Sequence, residues 1–126
     1  MWNQLRTDVP SGISTETITL KGAHGDQIGA YVARPQGNGP FPGVVLVHHA
    51  PGWDEFYREM TRRFADHGYV AICPNLFARV GHGTPDEVAA NVRAAGGVAD
   101  DDVVIDLEAG MQYLRSQPSK IGRAHV

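Results

Sequence analysis

The stretch Gly43-Val-Val-Leu-Val-His-His-Ala-Pro-Gly-Trp-Asp54 decides how this chain is read. Val44 to Val47 is an unbroken apolar, mostly β-branched run. That pattern belongs to a strand buried on both faces of a parallel sheet, because a half-exposed strand would alternate polar and apolar residues. Two histidines and a Pro-Gly break follow, and Asp54 can cap a helix that begins behind it. A buried strand that ends in polar groups and a turn delivers those groups to the rim where open α/β sheets place their chemistry.

Outward from this stretch the signals alternate between strand and helix. Thr15–Lys21 and Gln27–Arg34 alternate around the turn-forming Gly22–Asp26, which predicts a β-hairpin at one sheet edge, with residues 1–14 as an unstructured lead-in. Residues 35–42 hold three prolines and read as the crossover into the buried strand. Beyond Asp54, the spacing of Phe56, Met60 and Phe64 predicts an amphipathic helix ended by Gly68. Tyr69–Cys73 is a second short strand, stopped by Pro74, so the order strand, helix, strand implies a parallel crossover. Thr84-Pro85-Asp86-Glu87 has the form of a capping box with proline at the first helical position. Gly96-Gly97 breaks that helix, and a longer one follows from Asp100, with Val104, Leu107, Met111 and Leu114 on one face. Pro118 marks its end, and Lys120-Ile121-Gly122 opens another strand.

Composition narrows the function classes. At 126 residues the chain is one domain at most, and its net charge of −3 comes without a basic stripe, which argues against nucleic acid as a partner. No apolar run approaches the ~20 residues that cross a bilayer, and the N-terminus does not read as a signal peptide, so the expectation is a cytoplasmic protein with no membrane partner. Cys73 is the single cysteine, which leaves neither a disulfide framework nor a CxxC metal knuckle. It lies inside an apolar strand before Pro74, without flanking glycines, and reads as an inert buried thiol. Adjacent strand residues point to opposite sides, so His48 and His49 cannot grip one metal together. Gly96-Gly97 follows a helix rather than a strand, which excludes a dinucleotide fingerprint.

Three segments, Pro42-Gly-Val-Val-Leu-Val-His48, Gly68-Tyr-Val-Ala71 and Pro74-Asn-Leu-Phe-Ala-Arg79, resemble in order and spacing the dienelactone hydrolases, a branch of the α/β-hydrolase superfamily. The resemblance runs from about Thr15 to Gly122 and implies the N-terminal half of such a fold, a mostly parallel sheet with an N-terminal antiparallel hairpin. It implies a lactone or ester hydrolase working through a Cys or Ser acyl-enzyme, with no metal or organic cofactor. The family's Gly-x-Cys-x-Gly-Gly elbow and the rest of its triad would fall beyond Val126, so the chain itself is expected to be inert. Ile121-Gly-Arg-Ala-His-Val126 is also what one frame of a widely used sequencing adapter encodes, and Arg123 to Val126 are accordingly read as a non-native tail.

The same resemblance assigns roles. His48 shapes the turn as a buried imidazole bonded to backbone. His49 stands where these enzymes commonly carry a glutamate aimed at the nucleophile, and it replaces a fixed charge by a group that titrates near neutrality. Ala50 sits where α/β-hydrolases offer a backbone N–H to the oxyanion. Arg79 matches an arginine that holds a substrate carboxylate, which would make an anionic lactone the ligand, and Phe77 and Trp53 could wall the same pocket. The rival reading is a small α/β module that binds an anion through Arg79 without catalysis. Removal of the strand that carries the nucleophile is expected to leave Val44 to His48 as an unpaired edge that self-associates.

Overall fold

The computed structural model describes residues 10–48, 53–80, 83–117 and 121–125, the last segment as backbone only. Strands β1 (Ile13–Lys21), β2 (Gln27–Pro35), β3 (Phe41–Val45), β4 (Val70–Pro74) and β5 (Ile121–His125) form one sheet in the order β1-β2-β4-β3-β5. Helices α1 (Glu55–Asp66), α2 (Pro85–Ala94) and α3 (Asp100–Arg115) connect them. The β1–β2 hairpin joins β4 antiparallel, while β3 runs parallel to both β4 and β5. The valine-rich strand is therefore interior, as its composition demands.

Alternation along β4 shows why two layers of helix are needed. Val70 and Ile72 join Leu20, Ile28, Val32, Val45 and Leu114 in one cluster, whereas Ala71 and Cys73 join Leu46 and Tyr57 in another. Successive side chains of a strand leave on opposite faces, so α3 covers one side of the sheet and α1 the other. Among the described residues, no helix is long and apolar enough to cross a membrane.

Several expectations shift. β1 opens at Ile13, whose side chain is buried, so the lead-in ends sooner than residue 14. Phe41 and Pro42 belong to β3 rather than to the crossover. Val47 is 46% exposed: it shares its face with Val45, but no described element covers it there. The edge expected on β3 is occupied by β5, whose backbone runs on through Arg123 and Ala124 to His125, residues read from sequence as a foreign tail. The edges of the sheet are thus β1 and β5, not β3.

The helices also turn differently on their axes. Asp54 caps α1 by accepting from the Tyr57 N–H at 3.3 Å, and Gly68, at φ 97°, ends the helical turn. Phe56 is exposed, however, and the sheet-facing line is Tyr57, Thr61 and Ala65. Small residues at 61 and 65 let the axis approach the sheet, an advantage that phenylalanine cannot offer. Arg62 is buried beside them; its Nη1 donates to the Tyr31 hydroxyl at 3.1 Å and its Nη2 to Glu55. Burial pushes the Arg62 pKa down, but bonds to Glu55 and Tyr31 outweigh that and raise it, so the charge is retained.

On α3, Val104 is 60% exposed and is replaced on the buried line by Asp106 and Gly110, ahead of Leu114. The α2 capping box forms as expected: Thr84 accepts from the Glu87 N–H at 3.2 Å and the Glu87 carboxylate accepts from the Thr84 N–H at 3.0 Å. These bonds hold the Glu87 carboxyl below its ordinary value.

A side chain at Gly110 would place Cβ 3.2 Å from Pro74 Cγ and 3.6 Å from a Val45 methyl. Gly110→Leu should therefore lower the urea midpoint, with a loss of about 1–3 kcal/mol from overpacking despite the better helix propensity of leucine. An unchanged or higher midpoint would show that α3 does not press on β3 and β4 as described.

Candidate functional site

The carboxyl ends of β3, β4 and β5 share one rim because the three strands are parallel. His48 leaves β3 at this rim, 3% exposed, and its Nε2 accepts the Leu76 N–H at 2.9 Å. Accepting at Nε2 means that the imidazole is neutral with its proton on Nδ1. The ring also meets Phe77 edge-on at 4.9 Å. His48 is thus a buried, backbone-bonded histidine, as its position suggested.

Trp53 is the first described residue after His48. Its indole N–H donates to the Cys73 carbonyl at 2.8 Å, and the Arg58 guanidinium lies 4.7 Å from its ring centre. Both flanks of residues 49–52 are thus tied to the exit of β4, one through Leu76 and one through Cys73. His49 and Ala50 themselves lie outside the described residues.

Phe77 is 8% exposed and packs with Leu76 and Val92 under α2, so it has little surface to offer a ligand. Its sequence reading as a pocket wall gives way to packing. Trp53, half-buried, is anchored at its polar edge and stays at the rim. Cys73 is fully buried, and burial pushes its thiol up to about 12. A thiol in that range is protonated at neutral pH and is no nucleophile.

Arg79 stands in a short 3-10 turn, Ala78–Val80, just past β4. Its Nη1 and Nη2 donate to the two Asp106 carboxylate oxygens at 2.7 and 2.9 Å, its Nε to Asp26 at 2.8 Å, and Nη2 again to the Ala23 carbonyl at 3.0 Å. A guanidinium carries five N–H groups, so only one on Nη1 is left without a named acceptor. The expected free carboxylate clamp is a tie between the hairpin turn, the β4 exit and α3. The bond with Asp106 raises the Arg79 pKa, with Asp26 adding to it.

Asp106 is the residue that the sequence reading missed. It is wholly buried, accepts the Ala23 N–H at 2.8 Å, and sits so close to the hairpin that a Cβ on Gly22 would come within 2.3 Å of its Oδ1. Burial pushes its carboxyl up, but the bonds from Arg79 and the Ala23 N–H prevail and hold it below the ordinary range. The signal was available: an aspartate at the i, i+4, i+8 spacing with Gly110 and Leu114, on the line that meets the sheet.

A mixed sheet sandwiched by α1 and α3, with parallel strands whose carboxyl ends share one rim, has the character of an α/β-hydrolase fold. The dienelactone hydrolase family model matches residues 28–124, and the chain belongs to that family. It is 34% identical over 115 residues to carboxymethylenebutenolidase of Pseudomonas putida, covering 86% of this chain and 48% of that protein. The same identity and coverage hold for the carboxymethylenebutenolidase of Pseudomonas knackmussii. Among solved structures, a Klebsiella pneumoniae protein assigned as a dienelactone hydrolase superposes with a TM-score of 0.73 at 28% identity, covering 89% of this chain and 48% of that one. A dienelactone-hydrolase-like promiscuous phosphotriesterase from metagenomic libraries shares the fold at a TM-score of 0.68 and 19% identity, over 90% of this chain and 48% of its own. The chain spans about half the length of these relatives.

Two measurements test this geometry. Cys73 should resist a thiol-reactive disulfide reagent at pH 8 in the native state and react fully in denaturant; rapid native labelling would contradict its burial. Asp106→Asn should cost about 2–3 kcal/mol at pH 7, toward the lower end of what breaking a buried pair costs, because Arg79 keeps Asp26. A carboxyl with a depressed folded pKa contributes stability that is present above its unfolded value of about 3.9 and is lost as pH falls through the folded one. The unmodified chain should therefore lose more stability than Asp106→Asn on acidification below about pH 4, as followed by circular dichroism.

Proposed function

We propose that this chain forms the N-terminal half of a hydrolase that cleaves a small ester or lactone through a Cys or Ser acyl-enzyme, and that it supplies the oxyanion side of the pocket. The supporting observation is that His48 and Trp53, which flank residues 49–52, are both tied to the β4 exit in a member of the dienelactone hydrolase family. In this reading the Ala50 N–H meets the developing oxyanion, His49 faces the nucleophile, and Trp53 borders the pocket. A positioned oxyanion donor lowers the barrier by about 3 kcal/mol, but only when a nucleophile creates the charge. β5 lies parallel beside β3, so a segment continuing from β5 would leave the sheet next to the 48–53 turn. That is where a nucleophile elbow would face the oxyanion donor.

By itself the 126-residue chain is then inert, since Cys73 is buried and protonated. The rival reading as an anion-binding module loses its main support with Arg79 engaged by two carboxylates. The test is an activated-ester assay on two proteins. The purified chain should show no turnover above its Cys73→Ala variant, whereas the product of an uninterrupted gene copy should carry Gly-x-Cys-x-Gly or Gly-x-Ser-x-Gly shortly after Gly122 and release p-nitrophenol. Turnover by the chain that depends on Cys73, or a continuation without such an elbow, would refute the proposal.

A further inference from the structure

α2 is held to the rest of the molecule differently from its two neighbours. α1 is tied to β2 through Arg62 and Tyr31, and α3 is tied to the hairpin and the β4 exit through Asp106, with Asp102 bonding the His24 ring at 2.8 Å. The polar bonds of α2 are local. Thr84 and Glu87 cap its start on each other, and the Gly97 N–H donates to the Val92 carbonyl at its end. Among the described residues no hydrogen bond or ion pair joins α2 to another element. Its hold is a narrow apolar line of Val88, Ala89 and Val92, with Val88 and Val92 packed in the cluster of Leu76 and Phe77 and the other residues of the helix exposed. Even that seat is incompletely filled, because Leu76, Val80, Val98 and Val103 of the same cluster border a hollow of about 180 Å³ and lose packing contacts there.

Both ends of the helix can pivot. Gly83, at φ 133°, precedes the cap, and Gly96 and Gly97, at 85° and 100°, follow the last turn, in a region of backbone space that glycine enters without strain. Since the capping box lies within the helix, α2 can swing as a unit and keep the bonds that make it one.

The residues beneath α2 give such a motion a consequence. Phe77 lies between α2 and His48: it shares a buried cluster with Val92, and its ring meets the imidazole edge-on at 4.9 Å. Leu76, in the same cluster, donates its N–H to His48 Nε2 at 2.9 Å. The two side chains that seat α2 are thus the two that hold the imidazole at the rim.

We propose that α2 is a detachable cover on the β4 exit, and that Phe77 is the positioning residue through which its docking fixes the His48 ring. With α2 lifted, Phe77 loses its outer support and the bond between Leu76 and His48 opens to water. That this rim belongs to an ester site rests on the hydrolase reading above; the detachment of α2 and its coupling to His48 do not.

Amide exchange and imidazole ¹⁵N spectra of the labelled 126-residue chain test the proposal without catalysis. In the unmodified chain the amides of Ala90 to Ala94 should exchange about tenfold or more faster than those of Leu107 to Leu114, at a rate that low urea leaves unchanged, as a local opening requires. Val92→Asp should keep the Ala71 and Ile72 amides protected while Leu76 exchanges about tenfold faster and the His48 signals, assigned by their loss in His48→Gln, move. Phe77→Leu, which retains an apolar seat for α2 but removes the ring contact, should move the His48 signals and leave the exchange of α2 as it was. Exchange of α2 in step with α3 overturns the proposal, as does a Val92→Asp chain that unfolds throughout or one whose His48 signals stay in place. Failure of the ester assay would remove the hydrolase reading and leave these results unaffected.

Discussion

Every residue of β4 is buried, so neither of its faces can be left to water. This constraint dictates the architecture. One face takes α1, whose small Thr61 and Ala65 allow close approach, and the other takes α3, where Gly110 does the same against Pro74, Val45 and Ile72. Because β4 is also flanked by β2 on one edge and β3 on the other, its carboxyl end is fixed in all directions. The residues that leave that end, from Cys73 to Arg79, become the anchoring segment for the turn after β3 and for the hairpin. Burying a strand completely is thus what gives the rim a rigid reference.

Much of this was legible in the order of residues. Period-two alternation marked the hairpin, the β-branched run marked an interior strand, and Asp54 and Thr84 marked helix starts, because each signal reflects a local steric or capping demand. The rotation of the helices was not legible. Phe56 and Val104 fit an apolar stripe by spacing, but the sheet-facing lines went to Thr61 with Ala65 and to Asp106 with Gly110. Hydrophobic periodicity scores attraction to the core. It does not score how near the backbone must come, nor whether a buried carboxylate will find donors across the fold.

Arg79 illustrates the same limit at the site. Its position in Phe77-Ala78-Arg79 matched a ligand-binding arginine, and its sequence neighbours gave no sign of a competing acid. The acids come from the hairpin turn and from the middle of α3, far along the chain in both directions. His48 was readable because a buried imidazole at the end of an interior strand needs a backbone partner whichever residue supplies it, and the neighbouring β4 exit does so through the Leu76 N–H.

The strand order carries a consequence for how the molecule assembles. β1 and β2 meet through a tight turn, and β3 and β4 through a single helix, whereas Phe41 can pair with Ile121 only after everything between them, including β4 and all three helices, has been synthesised. Closing so long a loop is slow relative to the local pairings. During biosynthesis β3 must therefore wait with one edge bare until β5 emerges, and the interval before β5 docks is when the nascent sheet is most open to pairing with another chain.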